Sequence, residues 1–86
     1  MNGYKNEETF DMGLIVDNDR GLLELFQSRK EESTIWELAD FMKETMQELI
    51  DDILESLPTS AAGLAIRQMA DTAMSKVDWK ELAETI

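Results

Sequence analysis

The 86-residue chain is too short for two domains that could each bury a self-sufficient core, so a single domain over residues 1–86 is expected. Eight Lys and Arg against nineteen Asp and Glu give 8 − 19 = −11, and that charge repels nucleic-acid phosphate and bare anionic membrane alike. The absence of Cys and His removes disulfides, thiol nucleophiles, imidazole bases and the usual zinc ligands, which favours a binding protein without cofactor or metal over an enzyme.

The chain opens Met1-Asn2-Gly3-Tyr4-Lys5, polar where a signal peptide needs an apolar stretch, and residues 1–5 read as flexible. No run of about 18 apolar residues is present to span a bilayer, so a soluble, cytoplasmic protein without membrane contact is expected. Asn6 is suited to cap a first helix over Glu7 to Val16, with Glu7 and Glu8 at the favourable end of its dipole. The apolar residues Phe10, Met12, Leu14, Ile15 and Val16 cover a wide arc, implying neighbours on several sides, and Gly13 would let one of them come close. Asp17-Asn18-Asp19 predicts a break near 17 and 18, followed by a second helix to about Ser28.

Beyond the charged connector Arg29-Lys30-Glu31-Glu32, Thr34 and Glu37 form a T-x-x-E capping box. The third helix, about residues 34–57, keeps apolar steps of three and four from Ile35 through Leu38, Met42, Met46, Leu49, Ile50, Ile53 and Leu54 to Leu57, until Pro58 forbids another turn. Thr59 or Ser60 caps a fourth helix rich in Ala and containing Gly63, whose small side chains suggest tight packing on the third. Asp78 and Glu81 repeat the capping-box pattern, and Val77 can staple against Leu82 at the start of a fifth helix, Trp79 to Ile86. No alternating strand pattern appears, so the fold class is all-α: a compact bundle of four or five helices around one long amphipathic helix.

The third helix carries the candidate site. Glu37, Asp40, Glu44, Glu48, Asp51 and Glu55 advance by three or four residues each, which confines them to one stripe, and Asp52 flanks it. The row spans about 27 Å, with roughly 5 to 6 Å between successive charges, a repeat comparable to that of phosphates along a strand. Residues 35–57 sum to 1 − 7 = −6, with Lys43 the single cation. Any amphipathic helix places charge opposite its apolar stripe, so a merely solvated face is one reading. Ordinary helices mix signs for stability, however, and this one takes the self-repelling choice almost throughout, which points to a surface for a basic groove.

Other features read as structure. Asp17-Asn18-Asp19-Arg20-Gly21 has Gly at the fifth rather than the sixth position of a calcium loop and Ser28 at the twelfth, so a turn with a helix cap is preferred. Paired carboxylates on the face of a short bundle lack the apolar pocket that acid–base chemistry requires. The Met residues, Phe26, Phe41 and Trp79 read as core, whereas Trp36, off the main stripe, either covers the second helix or stands exposed at an interface.

Two segments resemble a family of small proteins of bacteriophages and of some bacteria. Tyr4-Lys5-Asn6-Glu7-Glu8-Thr9-Phe10, followed by Leu14-Ile15-Val16 and Asp17-Asn18-Asp19-Arg20-Gly21, is similar to an opening Y-K-N-x-E-T-W, an apolar L-W-I-type run and D-N-D-x-G. Val77-Asp78-Trp79-Lys80-Glu81-Leu82-Ala83 is similar to a closing V-[DN]-W-x-E-[IL]-A. Phe10 and Ile15 stand where that pattern usually has Trp. Physically these motifs read as scaffold: Asn6 and Asp78 as caps, Phe10 and Trp79 as core anchors, and Gly21 as a permissive turn or close contact. The resemblance implies a phage or mobile-element setting in a bacterial host, where small acidic proteins often disable CRISPR effectors, restriction enzymes or nucleases. The combined expectation is an anti-defence inhibitor, a monomer or homodimer, whose acid row occupies the basic groove of a nucleic-acid-binding host protein as a nucleic-acid mimic. The alternative is a self-associating structural or regulatory helical module.

Overall fold

A computed structural model describes residues 3–86, and among them it contains five helices and no strand. The helices are α1 (Glu7–Asn18), α2 (Arg20–Lys30), α3 (Ile35–Leu54), α4 (Ala61–Lys76) and α5 (Trp79–Thr85). The all-α class and the bundle therefore hold. Met1 and Asn2, part of the segment read as flexible, lie outside the described residues. Tyr4 is half-buried against Phe10, with ring centroids 5.8 Å apart, and the Lys5 amide donates to Glu81 Oε1 at 3.0 Å.

Asn6 caps α1 as expected, its side-chain oxygen accepting from the Thr9 amide at 2.8 Å, while its Nδ2 donates to the Lys76 carbonyl at 2.8 Å. The first helix runs to Asn18, two residues past the expected Val16, and the break falls at Asp19 rather than near 17 and 18. Asp19 alone is extended, donates its amide to the Val16 carbonyl and accepts from the Leu22 amide at 3.0 Å, so one residue ends α1 and begins α2. Gly21 consequently sits inside the first turn of α2, exposed and without the positive φ of a turn glycine; it is neither a turn nor a close contact. The helix α2 runs past Ser28 to Lys30, where Arg29 and Lys30 complement the negative end of its dipole.

Thr34 and Glu37 complete the capping box, Thr34 donating to Glu37 Oε1 at 2.9 Å and accepting from the Glu37 amide at 3.1 Å. The helix ends at Leu54 rather than Leu57. Pro58 disfavours helical geometry at the residue before it, and Ser56 and Leu57 instead close tight turns onto the carbonyls of Ile53 and Leu54. In α5 the expected reciprocal box is only half made. Asp78 Oδ1 accepts from the Glu81 amide at 3.1 Å, but the Asp78 amide donates to Thr9 Oγ1 and the Glu81 carboxylate turns to Lys5.

The core gathers Met12, Val16, Phe26, Leu38, Met42, Met46, Trp79, Leu82 and Ala83, with α5 packed between α1 and α3. Gly13 is the point of closest approach, since a Cβ there would lie 3.1 Å from Leu82 Cδ2 and 3.4 Å from the Tyr4 hydroxyl. Phe26 meets Phe41 edge-on at 6.0 Å, and the Arg29 guanidinium covers Phe41 at 4.5 Å from its centroid. Phe10, expected as a core anchor, is only half-buried; Trp79 is the buried one.

Two packing expectations are corrected. The principal packing of α4 is on α1, not on α3, and its Gly63 serves the preceding loop: a Cβ there would lie 1.9 Å from the Pro58 carbonyl oxygen. The apolar stripe of α3 is also covered over only part of its length. Leu38, Met42 and Met46 are buried, whereas Leu49 and Ile53 are 46% and 67% exposed. A helix of 20 residues extends about 30 Å, and α2 with 11 residues and α5 with seven are too short to cover it end to end.

Candidate acidic interface

All seven candidate side chains, Glu37, Asp40, Glu44, Glu48, Asp51, Asp52 and Glu55, are exposed. Because α3 is continuous from Ile35 and Glu55 retains helical φ and ψ, the backbone keeps them on the face opposite the buried Leu38, Met42 and Met46. Among the described residues, none of the seven has a Lys or Arg nitrogen within 4.0 Å. The ion pairs present lie elsewhere: Arg20 with Glu24 at 2.9 Å, Lys80 with Glu84 at 3.2 Å and Lys5 with Asp78 at 3.8 Å.

Two of the carboxylates, Glu37 and Asp51, are held by hydrogen bonds within the helix rather than by cations. Glu37 is held by the Thr34 backbone amide first and the Thr34 hydroxyl second, with a smaller contribution from Arg29, and these keep its carboxyl below the ordinary glutamate value. Gln47 Nε2 donates to Asp51 Oδ1 at 2.9 Å, which orients that carboxylate without cancelling its charge. Asp51, Asp52 and Glu55 crowd the C-terminal end of the helix, where the dipole is negative and the last turn contains no basic residue. The arrangement works against helix stability at both levels, between neighbouring side chains and against the macrodipole. Chemically it offers hydrogen-bond acceptors and negative charge along one exposed edge, and at its C-terminal end Asp51 and Glu55 share an open concavity with Arg67 and Asp71 of α4.

Trp36, left open between two positions, does not cover α2. It is 66% exposed on the flank of α3, with Lys80 Nζ of α5 at 4.9 Å from its ring centroid. The Asp17-to-Gly21 segment is not a loop: helix runs through Asp17 and Asn18 and resumes at Arg20. Among the described residues, no helix is long and apolar enough to cross a membrane, and no group of three or more His, Cys, Asp or Glu side chains is placed to hold a metal ion.

The two terminal motifs meet in space. Asn6 bonds the Lys76 carbonyl, Thr9 Oγ1 accepts from the Asp78 amide at 2.8 Å, and Lys5 contacts both Glu81 and Asp78. Their conspicuous residues are thus occupied in joining α1 to α5. Thr9, fully buried, escaped the sequence reading because a threonine at the start of a helix carries no periodic signal of its own.

The fold and site define a small all-α bundle with an acidic helix face that no Lys or Arg among the described residues pairs with. No protein-family model matches the chain, and neither curated proteins nor solved structures provide a significant match.

Proposed function

We propose that this is an interaction protein of a phage or mobile element that inhibits a nucleic-acid-binding host defence protein by laying the acidic face of α3 in its basic groove. The observation that carries the reading is the exposure of seven carboxylates along one helix with no Lys or Arg nitrogen among the described residues within ion-pair distance. Lys and Arg of the partner would meet Glu44, Glu48, Asp51 and Glu55 in place of phosphates, and many weak contacts of this kind steer association and are screened by salt. The phage setting rests on the resemblance of the terminal motifs.

The test is capture from bacterial lysate by the tagged protein, at low and at high ionic strength, beside a Glu44→Lys, Glu48→Lys, Asp51→Lys triple variant. A basic nucleic-acid-binding protein retained at low salt, released at high salt and lost with the triple variant is the expected result. A normally folded triple variant that still captures the same protein overturns the proposal.

A second reading, self-association as a helical module, has its own support in Leu64, Ile66 and Met69 of α4 and Leu49 and Ile53 of α3, all exposed. Sedimentation at several salt concentrations separates the two. A salt-insensitive dimer favours the module, and a monomer favours the inhibitor.

A further inference from the structure

Beside the N-terminal half of α3 lies an open concavity of about 400 Å³ whose charge is opposite to that of the molecule. Four of the chain's five lysines line it: Lys5 before α1, Lys43 of α3, Lys76 at the end of α4 and Lys80 of α5. Only two acids share the lining, Asp40 and Asp78, so its residues sum to 4 − 2 = +2 in a chain of −11, although Lys80 is also paired with Glu84, outside the lining, at 3.2 Å. Lys43 and Lys76 have no carboxylate within 4.0 Å among the described residues, and Lys5 reaches Asp78 only at 3.8 Å. The apolar part of the lining includes Trp36, with two thirds of its surface open to solvent, and Trp79, whose indole N–H is a buried donor without a partner.

We infer that this concavity binds a small nucleotide, with the base stacked on Trp36 and the phosphates between Lys43 and Lys76. Ammonium groups gathered from three helices and the segment before α1 repel one another, and an anion placed among them relieves that repulsion. An aromatic ring left exposed beside them supplies a flat apolar platform, and base–indole stacking is worth about 1–3 kcal/mol per base. Size follows from the electrostatics. Screening confines charge effects to about 8 Å at physiological ionic strength, so a compact anion responds to the local lysines. A strand extended past Asp40 would run onto the acidic face of α3 and be repelled. The inference is independent of a host partner for the acidic face.

The test is a titration of the intact protein with ATP in the presence of EDTA, followed through the indole N–H resonances of Trp36 and Trp79 and through calorimetry. Inorganic phosphate, adenosine and a short oligodeoxythymidine are the parallel probes. The expected result is a saturable ATP-dependent shift centred on Trp36, weaker binding of phosphate or adenosine alone, and weaker binding of the oligonucleotide. A Lys43→Ala/Lys76→Ala variant should lose affinity at least about tenfold. Trp36→Leu should lose most of the preference for ATP over inorganic phosphate, and Arg20→Ala, remote from the concavity, should bind normally. Circular dichroism establishes that each variant is folded. No saturable shift up to about 10 mM ATP, unchanged affinity in the lysine variant, or tighter binding of the oligonucleotide overturns the inference.

Discussion

Thr9 and Asp78, 69 positions apart in the chain, are joined by a hydrogen bond of 2.8 Å from the Asp78 amide to the Thr9 hydroxyl. Thr9 is fully buried, and the bond fastens the first turn of α1 to the cap of α5 where both terminal motifs converge. Replacing Thr9 by Val keeps the shape and strands the amide without an acceptor, a loss of about 1–3 kcal/mol. Urea unfolding should show that loss for Thr9→Val and a much smaller one for Thr9→Ser, which retains the oxygen.

Two helical glycines should respond in opposite directions to alanine. At Gly63 the added Cβ meets the Pro58 carbonyl oxygen at 1.9 Å, and neither backbone segment can yield cheaply, so the variant should be destabilised. At Gly21 the nearest neighbour, Asp19 Oδ1, is 3.5 Å away, and the substitution should stabilise by about 0.5–1 kcal/mol through helix propensity and a less flexible unfolded chain. Thermal melts of the two variants provide the comparison.

Repulsion along α3 should be measurable without any partner. Glu44 and Glu48 are four residues apart, exposed and without an ion-pair partner among the described residues, so a Glu44→Gln/Glu48→Gln variant should gain about 0.2–0.5 kcal/mol at low ionic strength. That gain should shrink towards zero as salt is added, because the interaction removed is a screened one. Chemical denaturation by urea, which adds no ions, is the appropriate measurement.

The capping box predicts a definite sign of pH dependence. Thr34 holds the Glu37 carboxyl below its unfolded value, so the ionised form is favoured by folding. The stabilisation is fully present above the unfolded glutamate value and is lost as pH falls through the lower, folded one. Carboxyl NMR titration should place Glu37 below a glutamate in an unstructured peptide. Thr34→Ala, which keeps the backbone amide and removes only the hydroxyl, should return it part of the way upward and, through loss of the cap, reduce stability by about 1 kcal/mol.

The apolar stripe of α3 should divide into two energetic classes. Leu38 is fully buried and Leu38→Ala should cost about 2–5 kcal/mol, whereas Ile53, 67% exposed, should cost well under about 1 kcal/mol on the same change. A large effect at Ile53 that depends on protein concentration would indicate burial between copies, which denaturation at two concentrations reveals.

The helices and their caps were legible because capping is local. Asn6, Thr34, Ser60 and Asp78 each act on an amide three residues away, and the sequence contains both partners. The acid row was equally legible, because a spacing of three and four residues determines a helix face once the helix exists. Exposure of that face followed from its position opposite Leu38, Met42 and Met46.

Tertiary structure decided what depends on residues distant in the chain. The periodicity of Leu49 and Ile53 is indistinguishable from that of Leu38 and Met42, and which of them meets a neighbour depends on the lengths of α2 and α5 and on α4 packing chiefly on α1. The packing of α4 on α1, the diversion of the Asp78 amide to Thr9 and the gathering of Lys5, Lys43, Lys76 and Lys80 around Trp36 have the same origin. Side-chain spacing along one helix is set by 3.6 residues per turn, whereas contacts between helices are set by which surfaces exclude water together, and that choice is made by the whole chain at once.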